Sequence, residues 1–150
     1  MFDKHISVNR IMTREVLHIS STDTMDRVSE IFKMNDVHHL PVIDDGEVVG
    51  IVSTTDLNKV THHFTLFKVS NADSVNTSVL RSLLVREVMT KPVATIGVAT
   101  KLTTVAAIFR ENLFHALPVV GANRELVGIV TPFDLVNYAY NTDEMLIESE

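Results

Sequence analysis

The chain is 150 residues long and sets 13 Lys and Arg against 19 Asp and Glu, a formal net charge of -6, with no cysteine. With 45% apolar and 21% charged residues its usage is that of an ordinary globular protein, which excludes a disordered or fibrous chain and bounds it at one domain or two very small ones. The acidic balance gives no field to attract a nucleic-acid backbone; the absence of cysteine removes disulfides, thiolate nucleophiles and sulfur-built zinc sites, and is compatible with a reducing compartment.

The stretch from Met1 to Thr13 has no apolar core resembling a signal peptide. Apolar runs such as Leu126 to Val130, interrupted by Gly128, are too short to span a bilayer. The expectation is a cytoplasmic protein with no membrane and no nucleic-acid partner.

At an offset of about 77 residues the chain aligns with itself. Val8, Met12, Thr13, Val16 and Ile19 meet Val85, Met89, Thr90, Val93 and Ile96; Val28, Ile31, Phe32 and Asn35 meet Val105, Ile108, Phe109 and Asn112. His38 and the run Leu40-Pro41-Val42 match His115 and Leu117-Pro118-Val119. One extra residue within Gly121 to Glu125 then moves the offset by one, after which Val49-Gly50-Ile51-Val52 meets Val127-Gly128-Ile129-Val130, and Asp56-Leu57 meets Asp134-Leu135. About 19 of about 49 aligned positions are identical, far beyond chance for unrelated segments.

Each copy opens with a predicted short strand, around Val16 to Ile19 and again around Val93 to Ile96. A helix follows: Met25, Val28, Ile31 and Phe32 recur at the spacing of one helical face, as do Leu102, Val105, Ile108 and Phe109. Leu40 to Ile43 and Val48 to Val52 are two β-branched runs joined by Asp44-Asp45-Gly46-Glu47, whose Asp-Gly pair suits a tight hairpin. A second helix ends each copy. The predicted fold class is α+β, two β-α-β-β-α repeats packed as a pseudo-twofold pair, since one such unit has too little core to stand alone.

The predicted divisions are a first repeat over 1–70, a connecting segment over 71–78, a second repeat over 79–140 and an acidic tail over 141–150. Asn71 to Ser78 is rich in Asn, Ser and Asp and reads as an exposed connection between helical stretches. In the tail, Met145, Leu146 and Ile147 fit either a frayed end or a helix extension that docks on a partner.

The residues best placed for chemistry are Ser53-Thr54-Thr55-Asp56 and Thr131-Pro132-Phe133-Asp134, each following Gly-Ile-Val where a strand ends and a helix begins. Ser53 and Thr131 suit the N-cap, Pro132 suits the first helical position, and a carboxylate three residues after the cap favours the positive end of the helix dipole. The same pattern fits a ligand. Free amides and a hydroxyl suit an anion, and an ionised carboxylate accepts both hydrogen bonds of a ribose diol. Spacing alone leaves capping and ligand binding both open.

No catalytic constellation stands out. Ser53 and Asp56 lack an evident general base, and neither a Gly-x-Ser-x-Gly nor a phosphate-binding Walker loop is present, so the chain is read as not an enzyme. The adjacent pairs His38-His39 and His62-His63 diverge on a strand or a helix, and no His-Glu-x-x-His occurs; no metal is expected.

The paired pattern Val-x-x-[Ile/Val]-Met-Thr, then His-x-Leu-Pro-Val, then Gly-Ile-Val-[Ser/Thr]-x-x-Asp-Leu resembles a tandem cystathionine-β-synthase (CBS) domain pair, or Bateman module, over nearly the whole chain. The resemblance implies a non-catalytic regulatory module that binds adenine nucleotides of the AMP, ADP and ATP class in a cleft between the repeats. The adenine nucleotide is then a regulatory ligand and no cofactor is required. Asp56 and Asp134 would hold ribose hydroxyls, with Ser53 and Thr131 facing phosphate or ribose. Thr55 adds a hydroxyl where the second copy has Phe133, so the sites should differ. An adenine slot is expected around Thr13, Val16, Thr90, Val93, Ile51 and Ile129, with no indication of which copy's lead-in serves which aspartate.

His38, His39 and His115 stand where related members place cations against phosphate, Ala116 replaces the second copy's counterpart of His39, and Arg14 and Lys91 are further cationic candidates. The alternative is that the histidines are ordinary partly buried side chains at a strand edge; if instead they meet phosphate, affinity should rise as pH falls from about 8 to about 6. Family resemblance further implies a homodimer stacked through helices, with Leu57, Val60, Leu135, Val136 and Tyr138 as the apolar face, acting on an unknown protein target. The alternative is a structural or protein-interaction CBS module without nucleotide, or one that takes NAD or S-adenosylmethionine.

Overall fold

Met25, Val28, Ile31 and Phe32 line one side of helix α1 (Met25–Met34), and they find their cover in the hairpin that follows, β1 (His39–Asp44) with β2 (Glu47–Ser53). The computed structural model describes residues 5–65 and 72–140. The acidic tail, Asn71, and the side chains of His62 and His63 lie outside the described residues.

The antiparallel β1–β2 ladder runs from His39 opposite Ser53 to Asp44 opposite Glu47. Its turn places Asp45 and Gly46 at φ values of 49° and 78°, the two left-handed positions that an Asp-Gly hairpin demands. Helix α2 (Thr54–Thr65) follows without a break. Next come α3 (Ala72–Ser82) and the single turn α4 (Val85–Val88). The second copy contributes β3 (Ile96–Gly97), α5 (Leu102–Arg110), β4 (Leu117–Val120), β5 (Leu126–Val130) and α6 (Pro132–Ala139). β3 is parallel to β4, and β4 antiparallel to β5.

Three elements differ from expectation; the opening strand of the second copy, expected around Val93 to Ile96, is confined to Ile96–Gly97. The opening strand of the first copy is reduced to one residue: Ile19 donates to the Pro41 carbonyl and accepts from the Ile43 amide. Residues 72–78, read from composition as a connection, are helical. The side of α3 that carries Leu80 packs on α1 and buries Leu80 to 7% exposure, and that packing outweighs the weak helix propensity of Asn, Ser and Asp.

The chain divides into two units, one continuous (Leu17–Val93) and one split (Met1–Val16 with Ala94–Glu150). Their cores match position by position. Met25, Val28, Leu40, Val42, Val52 and Val85 fill the continuous unit; Leu102, Val105, Leu117, Val119, Val130 and Val8 fill the split one. The last residue of each set comes from the other sequence copy. Val85 donates to the Asp23 carbonyl and Met25 to Leu83; likewise Val8 donates to Thr100 and Leu102 to Ile6. Each lead-in is clasped by the first helix of the opposite copy.

Candidate functional site

The clasp decides which lead-in runs beside which Gly-Ile-Val strand. Thr90 and Ile51 exchange two backbone hydrogen bonds, of 2.8 and 3.2 Å, in the continuous unit; Thr13 and Ile129 exchange two of 2.9 Å in the split unit. The Met-Thr pair of each copy therefore runs beside the Gly-Ile-Val strand of the other. This close approach accounts for the glycines. A β-carbon on Gly50 would meet Met89 Sδ at 2.5 Å, and one on Gly128 would meet Met12 Sδ at 2.6 Å. Sequence reading missed the two methionines as a structural device, although their recurrence ahead of both threonines was the signal.

At each corner the aspartate turns back onto the residue that precedes the helix. Asp56 Oδ2 accepts from the Ser53 amide and from Ser53 Oγ, both at 2.9 Å, while the Asp56 amide donates to Ser53 Oγ at 3.1 Å. Asp134 Oδ2 accepts from the Thr131 amide at 2.7 Å and from Thr131 Oγ1 at 3.1 Å. The capping expectation is thus met at both corners, and it fixes the carboxylate's orientation. The remaining oxygen, Oδ1, has no protein partner among the described residues in either case. A half-buried carboxylate with one oxygen anchored and the other available can accept hydrogen bonds from a diol.

The corners are not copies of one another. In the continuous unit the ladder extends to His39 opposite Ser53, and one residue further on the Thr54 amide donates to the His38 carbonyl at 3.0 Å. In the split unit the ladder stops at Leu117 opposite Val130. Pro132 stands where Thr54 does and has no amide hydrogen to donate to His115. Thr55 is exposed, and its counterpart Phe133 is a 69% exposed ring. Ala116, the counterpart of His39, is buried.

Of the other expected residues, Val16 and Val93 are half-buried, Thr13 and Thr90 exposed, and His38 and His115 exposed. His38 Nε2 lies 3.9 Å from Asp36 Oδ1. Arg14 is anchored on its own lead-in: Nη2 donates to the Asn9 carbonyl at 2.8 Å and to Asn9 Oδ1 at 2.6 Å. Lys91, its counterpart, is exposed and has no ion-pair partner among the described residues. Arg14, Thr13, Val16, His115, Ile129, Thr131 and Asp134 belong to the split unit; Ser53, Thr55, Asp56, Ile51, His38, His39, Thr90 and Val93 to the continuous one. The described residues place no group of three or more His, Asp or Glu to hold a metal ion, and no described helix is long and apolar enough to cross a membrane.

The model of the CBS domain matches residues 8–63 and 85–141. The chain belongs to the CBS domain family. It is an α+β CBS pair, with helices and sheets in two repeats. CBSX2 from Arabidopsis thaliana is 31% identical with a TM-score of 0.76, the match covering 92% of this chain and 96% of that one. CBSX2 in complex with AMP gives 27% identity and a TM-score of 0.74, over 91% and 98%. Protein MJ1225 of Methanocaldococcus jannaschii is 28% identical over 91% of this chain and 48% of its own length, and its crystal structure gives a TM-score of 0.77. A homoserine O-acetyltransferase of Methanosarcina acetivorans is 28% identical over 87% of this chain. The CBS pair spans 21% of that enzyme's length.

The apolar face expected on the second helices is redistributed. Leu57 and Val60 pack against the core of the continuous unit, and Leu135 and Tyr138 against that of the split unit. Their helical spacing turns them inward because each core needs cover on that side. Only Val136 of the five is exposed; Phe133 on the same helix and Tyr140 just past its end are exposed as well.

Proposed function

We propose that this CBS pair is a non-catalytic regulatory module that senses adenine nucleotides, holding ribose at Asp56 and at Asp134. The observation that carries the reading is the repeated carboxylate geometry: Oδ2 anchored by an amide and a hydroxyl three residues earlier, Oδ1 available. The AMP complex of CBSX2, alike over nearly its full length, supports the ligand class. Ligand acts by binding one arrangement of the module better than another. The output is self-association into a homodimer through Phe133, Val136 and Tyr140, exposed by 69%, 54% and 70%, or contact with another protein.

A thermal shift series tests it. At about 100 times its dissociation constant a ligand adds about 2.7 kcal/mol, several degrees for a chain of this size. AMP, ADP or ATP should raise the transition. If these three, NAD and S-adenosylmethionine all leave it unmoved, the second reading holds: a protein-interaction module in which both aspartates serve only as caps. The Oδ2 bonds favour that reading, since the cap they form is complete within the turn itself. NAD or S-adenosylmethionine acting alone would change the adenosyl ligand and keep the site.

A further inference from the structure

Within the continuous unit, helices α1 and α3 flank a groove of about 270 Å³. Asp26, Ser29, Glu30 and Lys33 recur at three- and four-residue spacing along α1 and form one wall; Leu80 and Arg81 of α3 form the other. Met25 donates to the Leu83 carbonyl, which sets the start of α1 beside the end of α3 and Glu30 across the groove from Arg81. Two observations mark the groove as incomplete. Ser29 is 9% exposed, yet its hydroxyl has no hydrogen-bond partner among the described residues, not even the Met25 carbonyl one turn back that a mid-helix serine can take. Buried polar groups are ordinarily paired. The charged side chains are open as well: Glu30, Lys33 and Arg81 make no side-chain hydrogen bond and no ion pair among the described residues, while Asp26 engages Oδ1 with the Thr24 hydroxyl. Glu30 and Arg81 are opposite charges on opposite walls that do not meet.

We infer that this groove is a second binding site, for a small zwitterion: a free α-amino acid with an aliphatic side chain. Such a ligand carries its ammonium and its carboxylate on one carbon, the arrangement that bridges two unlike charges held apart on facing walls. The Arg81 guanidinium takes the carboxylate in its planar fork, Glu30 accepts from the ammonium, and the Ser29 hydroxyl gains the partner it lacks. Leu80, 7% exposed, and Met34 at the rim, 77% exposed, give the aliphatic side chain an apolar bed. A simple anion would meet Arg81 and Lys33 but also Asp26 and Glu30, and a simple amine would leave Arg81 without a counter-charge. Two acidic and two basic side chains sum to no net charge, which matches a ligand whose own charges cancel. The inference is independent of the ribose reading, since the two share no residue.

Titration of the isotope-labelled full chain with L-leucine, followed by amide chemical shifts, tests this. Shifts should concentrate on α1 and α3 and saturate with a dissociation constant of about 1 mM or tighter. N-acetyl-L-leucine lacks the ammonium and L-leucinamide the carboxylate, and each should bind at least fivefold more weakly. Glu30→Gln and Arg81→Gln, both at exposed positions, should leave the melting curve in place and weaken leucine at least fivefold. Ser29→Ala should weaken it at least twofold while the melting temperature holds or rises, because an unpaired hydroxyl is removed. No shifts on α1 and α3 with leucine at about ten times that concentration would overturn the inference. So would analogues or variants that bind as well as leucine binds wild type.

Discussion

Met89 lies over Gly50 so closely that a β-carbon there would stand 2.5 Å from its sulfur and 3.2 Å from the Thr90 carbonyl oxygen. At Gly128 the matching distances are 2.6 Å to Met12 Sδ and 3.0 Å to the Thr13 carbonyl oxygen. A thioether swings aside more readily than backbone, so the carbonyl distance sets the cost. Gly50→Ala should destabilise by about 1–3 kcal/mol, the usual range for overpacking, and Gly128→Ala by at least as much. Urea denaturation of the two variants checks both the size and the order.

Thr54 and Pro132 occupy equivalent places, and the hydrogen bond from Thr54 to the His38 carbonyl exists only in the first copy. Proline is otherwise welcome at a first helical position. Thr54→Pro should therefore cost about 1 kcal/mol, the net worth of one hydrogen bond, and amide exchange should quicken at the His39 end of the β1–β2 ladder. An unchanged melting temperature would show that the bond contributes nothing.

Asp44 accepts hydrogen bonds from the Ser21 hydroxyl and amide and from Ser20 Oγ, and these, led by the Ser21 hydroxyl, hold its carboxyl below the usual carboxylate range. A carboxyl whose folded value is depressed adds stability above its ordinary value, about 3.9, and loses it as pH falls from there through the folded value. Asp44→Asn should lower stability by about 1 kcal/mol at pH 7. The gap to wild type should narrow as pH falls through the acid limb. A gap of the same size at pH 3 as at pH 7 would remove this carboxylate from the acid response.

Leu80 anchors α3 to α1. Leu80→Ala should cost about 2–4 kcal/mol by leaving a cavity. A substitution in a mere connecting segment would stay within about 0.5 kcal/mol. Equilibrium unfolding separates the two.

The repeat, the two hairpins, the first helices and the turn-to-helix corners were legible because each rests on local chemistry: alternation, helical spacing, an Asp-Gly turn, a hydroxyl three residues before a carboxylate. The lead-in crossing was not, since Met12-Thr13 and Met89-Thr90 read identically and nothing in either says which strand it joins. α3 was misjudged because its helicity comes from Leu80 packing on another helix rather than from its own Asn- and Ser-rich composition. At the turn-to-helix corners, the aspartates and cap hydroxyls were visible, but Thr54 mattered only once its amide was seen to bond His38. The anchoring of Arg14 by Asn9 likewise needed coordinates. Leu57 and Val60 were assigned to an outer face because periodicity reveals that a stripe exists and not which way it turns.

The lead-in exchange bears on how this chain can be divided or inherited. Cutting it at the midpoint of the duplication would give two fragments, each holding a latch without its catch. The stretch from Leu17 to Val93 instead carries both halves of its own fastening and interrupts its sibling like a clause set inside a sentence. A forerunner with a single copy would have had to borrow the missing piece from a neighbouring molecule, so joining two genes end to end turns an intermolecular loan into a permanent covalent arrangement.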